Sequence, residues 1–306
     1  MKAMLRGLLR PLTALVLATG VLFCTGCAST ASSSAGSASA SDTADLRQQY
    51  RNTVANSHYI LHALGGINGT HSYTNSIDAL RANYQDGYRL FEVDVSFTSD
   101  HHLVLAHSAR DNTWKKIDWE KRLGQPYDPE HPLATLEEFK AFRIQEQFQA
   151  TTFAELLDFM EAHPDMFVMV DAGSRSYNDT VAFYQAIVAE AKGRDAVLQH
   201  LIAGGQNTAM FQAARSVYDF PLYNLYYDTD DRREPALATP ECFLSYCKEN
   251  DILSYSVASN VYTEAVADAL HNSDLIGYVF TVNDKSEAER LLTRTSTVVG
   301  TDFLRD

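Results

Sequence analysis

Arg89-Leu90-Phe91-Glu92-Val93-Asp94-Val95 reads as a short buried strand in which two carboxylates interrupt an apolar run. Glu92 and Asp94 are two residues apart, so both point to the same side of that strand. A polar turn, Thr98-Ser99-Asp100-His101-His102, follows, and then a second apolar run, Leu103-Val104-Leu105-Ala106, ending at His107. Too few residues separate the two runs for a helical crossover, so the chain doubles back as a hairpin. Two carboxylates facing one low-dielectric space repel each other and resist burial unless a cation lies between them. Carboxylate oxygens suit Mg²⁺ or Ca²⁺.

Outward from this segment, strand-like and helix-like stretches alternate. The remaining strand candidates are Tyr59–Ala63, Phe167–Asp171, Leu201–Gly204, Leu222–Tyr226, Ile252–Tyr255, Gly277–Val282 and Val298–Thr301, which with Arg89–Val95 makes eight. Most are apolar runs without clean alternation, the pattern of parallel strands covered on both faces. Helical patterns fall between them at Ser76–Tyr84, Thr152–Ala162, Asn178–Lys192, Thr208–Val217, Thr263–His271 and Lys285–Thr293. Thr152 and Glu155 have capping-box spacing. Eight β–α alternations over about 245 residues favour a (β/α)₈ TIM barrel over an open Rossmann-like sheet, which has the same local pattern. Residues 108–150 break the alternation. They hold Trp114, Trp119 and three prolines, and an insertion of that length after a barrel strand is a candidate lid.

The 306-residue chain carries a formal charge of −14, with no Lys/Arg cluster in its body. That argues against nucleic acid and against electrostatic adsorption to anionic lipid. The first residues read as an export signal. Lys2, Arg6 and Arg10 precede an apolar run, Leu12–Phe23, too short to span a bilayer comfortably. Cys24-Thr25-Gly26-Cys27 follows, and small residues before Cys27 resemble the lipobox of bacterial lipoproteins, whose cysteine is acylated. That resemblance implies a membrane-anchored, extracytoplasmic protein of the bacterial cell envelope. Cys24 is a departure, since leucine is usual there. Removing residues 1–27 would leave a charge of about −17. Residues 28–43, rich in Ser and Ala, read as a flexible tether with a reach of about 20 Å. A polar helix is expected over 44–56, beginning the folded unit 44–306. Cys242 and Cys247 fall on a helix read over Pro240–Asn250, point about 140° apart, and are expected to be free thiols.

Barrel enzymes carry their active sites at the C-terminal ends of the strands. Here those ends hold His62, Glu92, Asp94, His107 and Asp171. Four motifs around them, in order and spacing, resemble the glycerophosphodiester phosphodiesterase family. They are Ile60-Leu61-His62-Ala63-Leu64-Gly65-Gly66, Tyr73-Thr74-Asn75-Ser76, Phe91-Glu92-Val93-Asp94-Val95 and Leu103-Val104-Leu105-Ala106-His107. Phe280-Thr281-Val282-Asn283 and Val299-Gly300-Thr301-Asp302 resemble the family's C-terminal motifs. The resemblance implies a general acid/base pair, His62 and His107, and metal ligands Glu92, Asp94 and Asp171. It implies a small phosphodiester substrate, and it puts Asn75 at a substrate-side motif position, although Asn75 also reads as the cap of the next helix.

Departures from the family pattern bear on activity. Ala63 stands where the family has an arginine, Thr74 where it has a glutamate, Ser108 where it has an aspartate, and Gly173 where it has a lysine. Two cations that would clamp a phosphate are therefore missing. Arg175 is close enough in sequence to substitute for one. Three function classes follow: a metal-dependent phosphodiesterase, an inert barrel serving as an envelope binding or scaffold protein, and a glycosidase using paired carboxylates. The last is disfavoured, because carboxylates adjacent on one strand sit too close to flank a sugar.

Overall fold

Along β2 (Leu90–Phe97) the side chains alternate between two environments. Phe91, Val93 and Val95 enter the large core under the helices, whereas Leu90 belongs to a separate cluster with Phe167, Ile202, Leu222, Ile276 and Val298. That second cluster draws on strands all round the sheet, so it is the barrel interior, and Glu92 and Asp94 share the Leu90 side.

The computed structural model describes residues 40–107, 134–141, 143–173, 175–228, 234–271, 273–294 and 297–306. β1 (Tyr59–Leu61), β2, β6 (Phe167–Asp171), β7 (Leu201–Gly205), β8 (Leu222–Tyr227), β9 (Ser254–Ala258), β10 (Ile276–Phe280) and β11 (Thr297–Thr301) pair in parallel, each with its neighbour. Leu61 opposite Phe91 closes the ring. The expected (β/α)₈ TIM barrel is the fold. β3 (Leu103–Leu105) pairs antiparallel with β2, Val95 facing Leu105, which is the expected hairpin. Helices cover the outside: α2 (Ile77–Gln85), α4 (Phe153–Ala162), α5 (Tyr177–Glu190), the short α6 (Asp195–Gln199), α7 (Thr208–Val217), α8 (Pro240–Glu249), α9 (Glu264–His271) and α10 (Lys285–Leu292). The capping box forms at α4, with the Thr152 side chain accepting from Glu155 N and Glu155 reaching back to Thr152 N. Cys242 and Cys247 are free, the first exposed and the second buried.

Two expectations are corrected. Helix α1 spans Ala40–Ala55, so residues 40–43 belong to a helix and not to the tether. Leu46, Tyr50 and Val54, spaced four apart on one face, pack into the interior cluster at the base of the barrel. Buried apolar side chains of that kind contribute about 1.5–3 kcal/mol each, which is ample to order a short helix of low mean hydropathy. Asn75 is not the cap of α2, because Ser76 fills that role, its hydroxyl accepting from Ala79 N.

Of the insertion, residues 134–150 form α3 (Leu136–Ala141) and a small hairpin, β4 (Arg143–Ile144) with β5 (Phe148–Gln149). Phe139, Ile144 and Phe148 pack on Val104 and Ala106 beside β3. The expected lid was 108–150, and its residues 108–133 lie outside the described residues, as do the export segment, Cys27 and residues 28–39 of the tether.

Candidate active site

The parallel register of β2 and β6 sets Asp94 directly beside Asp171. Glu92 is one inward position below Asp94, and carboxylate oxygens from all three lie within 4.8 Å of one another. Backbone and amide groups hold each in place. Glu92 Oε2 accepts from Ala63 N at 2.9 Å, and Asp171 Oδ1 accepts from Gly173 N at 2.6 Å. Asn75 grips Asp94 twice: its Nδ2 donates to Asp94 Oδ2 at 2.8 Å and its Oδ1 accepts from Asp94 N at 3.0 Å. Asn75 is itself buried, so its motif position serves the carboxylate cluster.

Electrostatics make this cluster unstable with all its charges present. Burial raises the Glu92 pKa first and the Asp94 charge adds to it; burial and the Asp171 charge do the same for Asp94. Three hard oxygen donors that repel one another fit a divalent cation of the Mg²⁺ or Ca²⁺ kind.

His62 follows β1, at the start of a single 3-10 turn. The tight geometry past it depends on glycine: Gly65 has φ of +84°, and a Cβ there would meet Asn83 Nδ2 at 2.6 Å. His62 Nδ1 lies 2.8 Å from Asp302 Oδ1. A carboxylate only accepts, so Nδ1 carries the proton and Nε2 faces the other way. Asn283 Nδ2 donates to Asp302 Oδ2 at 2.8 Å, and Asn283 Oδ1 accepts from both Thr301 and Asp302 N. The two C-terminal motifs thus hold the His62 partner. Burial depresses the His62 pKa, but the Asp302 hydrogen bond and the Glu92, Asp94 and Asp302 charges outweigh it and raise it to about 9. Asp302 is held below the usual carboxylate range, its His62 and Asn283 hydrogen bonds prevailing over burial.

His107, at the end of the hairpin, sets Nε2 3.9 Å from Asp94 Oδ1. The Tyr73 ring packs against both histidines, 5.0 Å from His62 and 5.9 Å from His107 between centroids. The imidazoles are therefore about 11 Å apart at most, the sum of those two separations. One cavity of about 270 Å³ is walled by His62, Glu92 and Asp171 on one side and by Asn224, Tyr226 and Ser256 on another.

The positions where cations were missing are now visible. Ala63 is fully buried with φ of +49°, and Gly173 has φ of +61° in open space. Arg175 Nε donates to Ala172 O at 2.5 Å, its guanidinium lies 4.5 Å from the Phe183 ring, and it is not among the cavity walls. Sequence reasoning placed no role on Asp302 or Asn283. The signal was there: a catalytic histidine at a strand end is commonly oriented by a carboxylate, and Asp302 directly follows the adjacent strand.

Comparisons with known proteins agree with this frame. A model of the glycerophosphoryl diester phosphodiesterase family matches residues 66–305, and the chain belongs to that family. No curated protein sequence matches it. Among solved structures it is similar to a glycerophosphodiester phosphodiesterase from Parabacteroides distasonis, with 15% identity, TM-score 0.59, and coverage of 80% of this chain and 93% of that one. It is similar to another from Thermotoga maritima, with 18% identity, TM-score 0.57 and coverage of 80% and 94%. A third is a phosphodiesterase from Oleispira antarctica in complex with the product sn-glycerol-3-phosphate, with 14% identity, TM-score 0.57 and coverage of 82% and 95%. At such identities the likeness carries the fold.

Proposed function

We propose that this chain is a divalent-metal-dependent phosphodiesterase that hydrolyses glycerophosphodiesters or related head-group diesters. The observation that carries the reading is a cavity walled by His62 and by Glu92 and Asp171 of the carboxylate cluster, with the His62 ring oriented by a separately held Asp302. Glu92, Asp94 and Asp171 would hold the cation, which when bound neutralises phosphate charge. His62, oriented by Asp302, gives a proton to the leaving oxygen. His107, beside Asp94, takes one from the attacking water, whose oxygen bonds to phosphorus as the P–O bond to the leaving alcohol breaks. Asp302 keeps the His62 charge and fixes which nitrogen faces the substrate.

The inert-barrel reading draws on Ala63 and Gly173. The His62–Asp302–Asn283 chain favours catalysis over it, since a merely structural histidine needs no carboxylate anchored on its far oxygen. Without the two cations, phosphate affinity is expected to be weak and KM high. The test is release of glycerol 3-phosphate from glycerophosphoglycerol by the purified full chain. His62→Ala and His107→Ala should each lower kcat by roughly 10²–10⁴, and an unchanged rate in either variant contradicts the assignment.

The export segment, the lipobox-like run ending at Cys27 and the Ser/Ala tether support a second element of this reading. The barrel works outside the cytoplasm, held to a membrane by a lipid on Cys27.

A further inference from the structure

The cavity has a side opposite the carboxylates that the proposed chemistry does not use. Asn224 on β8 and Ser254 and Ser256 on β9 are buried polar residues in an interior whose base is otherwise apolar. Register explains their contact, since Asn224 pairs with Ser254 and Tyr226 with Ser256. Ser256 Oγ donates to Asn224 Oδ1 at 2.7 Å, Asn224 Nδ2 donates to Ser254 Oγ at 3.2 Å, and Ser254 Oγ donates to Tyr223 O at 3.1 Å. The chain continues below. The Tyr50 hydroxyl from α1 bonds to that of Tyr278 and interacts with Ser254.

This network fixes the Asn224 amide with its oxygen toward Ser256. An amide nitrogen carries two hydrogens and a hydroxyl oxygen two lone pairs. After the bonds above, the pair still offers one donor, the second hydrogen of Asn224 Nδ2, and acceptor lone pairs on Ser256 Oγ, and both residues wall the cavity. An alcohol hydroxyl needs that combination. A quaternary ammonium cannot answer the donor, because it has no lone pair. Tyr226 and Phe280, with ring centroids 6.0 Å apart, wall the same cavity.

We propose that Asn224 and Ser256 form the subsite that reads a hydroxyl on the alcohol portion of the diester, and that Tyr50 positions this pair from the helix preceding the barrel. The inference rests on the phosphodiesterase reading and adds to it the residues that choose the alcohol. Helix α1, which lies before the residues matched by the family model, thereby becomes part of the site.

The experiment compares kcat/KM of the metal-loaded full chain on glycerophosphoglycerol, which is rich in hydroxyls, and on bis(p-nitrophenyl) phosphate, which has none. Ser256→Ala should lower the ratio of the first to the second by roughly 5–10-fold, the worth of one neutral hydrogen bond. Tyr50→Phe should lower the same ratio by less, through KM more than kcat. A misfolded variant would lose both substrates together, so the ratio separates recognition from folding. If Ser256→Ala leaves the ratio unchanged, the subsite assignment is overturned while the phosphodiesterase reading stands. If the wild-type protein turns over neither diester, that reading fails and takes the subsite with it.

Discussion

His62 Nδ1 and Asp302 Oδ1 stand 2.8 Å apart although 240 residues separate them in the chain. The contact joins the start of the barrel to its end, and it exists because β1 pairs in parallel with β11, with Leu61 beside Thr301. Barrel closure and histidine orientation are one structural event. In the metal-free protein, Asp302→Asn should drop the His62 pKa from about 9 toward its ordinary value, as read by NMR titration of the imidazole. kcat/KM should fall by roughly 10–100-fold. A His62 titration unmoved by the substitution would remove Asp302 from the mechanism.

Asn75→Leu tests the support of Asp94. With both hydrogen bonds to Asp94 lost, metal affinity should fall roughly 10–100-fold. Calorimetric titration with Mg²⁺ or Ca²⁺ measures it, with circular dichroism confirming the fold. Wild-type affinity in the variant would show that Asp94 needs no such clamp.

The pH dependence of metal binding has a definite sign. Glu92 and Asp94 have pKa values raised above their unfolded ones, so the folded metal-free protein holds extra protons there. Its stability falls as pH climbs from about 4 through those raised values, because the unfolded chain then binds fewer protons than the folded one. His62, raised to about 9, adds a loss of the same sign from about pH 6.5 upward. Cation binding must displace the carboxyl protons, so the rise in Tm on adding Mg²⁺ should grow between pH 5 and pH 8. At neutral pH and 100 times Kd the added stability should be about 2.7 kcal/mol. Thermal melts across that range check this, and a shift largest at pH 5 would contradict it.

Cys27→Ser should move the protein from the membrane fraction to the soluble extracytoplasmic fraction. Fractionation and mass spectrometry of the N-terminus read the outcome. Membrane retention of the variant, with no lipid on the wild-type chain, would defeat the anchoring proposal.

Much of the barrel was legible because its strands are buried apolar runs; Phe167–Asp171 falls where the sequence places it. β9 does not. It was expected at Ile252–Tyr255 and forms at Ser254–Ala258, since Ser256, which walls the cavity, and Ser254, which bonds to Asn224, dilute the apolar pattern. The same trade hid the beginning of α1, where Ala40-Ser41-Asp42-Thr43 has the composition of a linker. Leu46, Tyr50 and Val54 were the available clue, at a helical spacing that demands an apolar partner. In the site, Glu92, Asp94, Asp171, His62 and His107 could be read from strand ends. The roles of Asp302 and Asn75 could not, because each acts through a contact made only after the barrel closes.

On the proposed reading, the Glu92–Asp94–Asp171 cluster holds a cation essential for diester hydrolysis. The most direct measurement is glycerol 3-phosphate release from glycerophosphoglycerol by the purified full chain, first stripped with EDTA and then supplied with Mg²⁺ or Ca²⁺, alongside Glu92→Gln. The expected result is activity abolished by EDTA, restored by one of the two ions, and absent from Glu92→Gln at any metal concentration. Undiminished turnover after complete metal removal, or full activity in Glu92→Gln, would contradict the account.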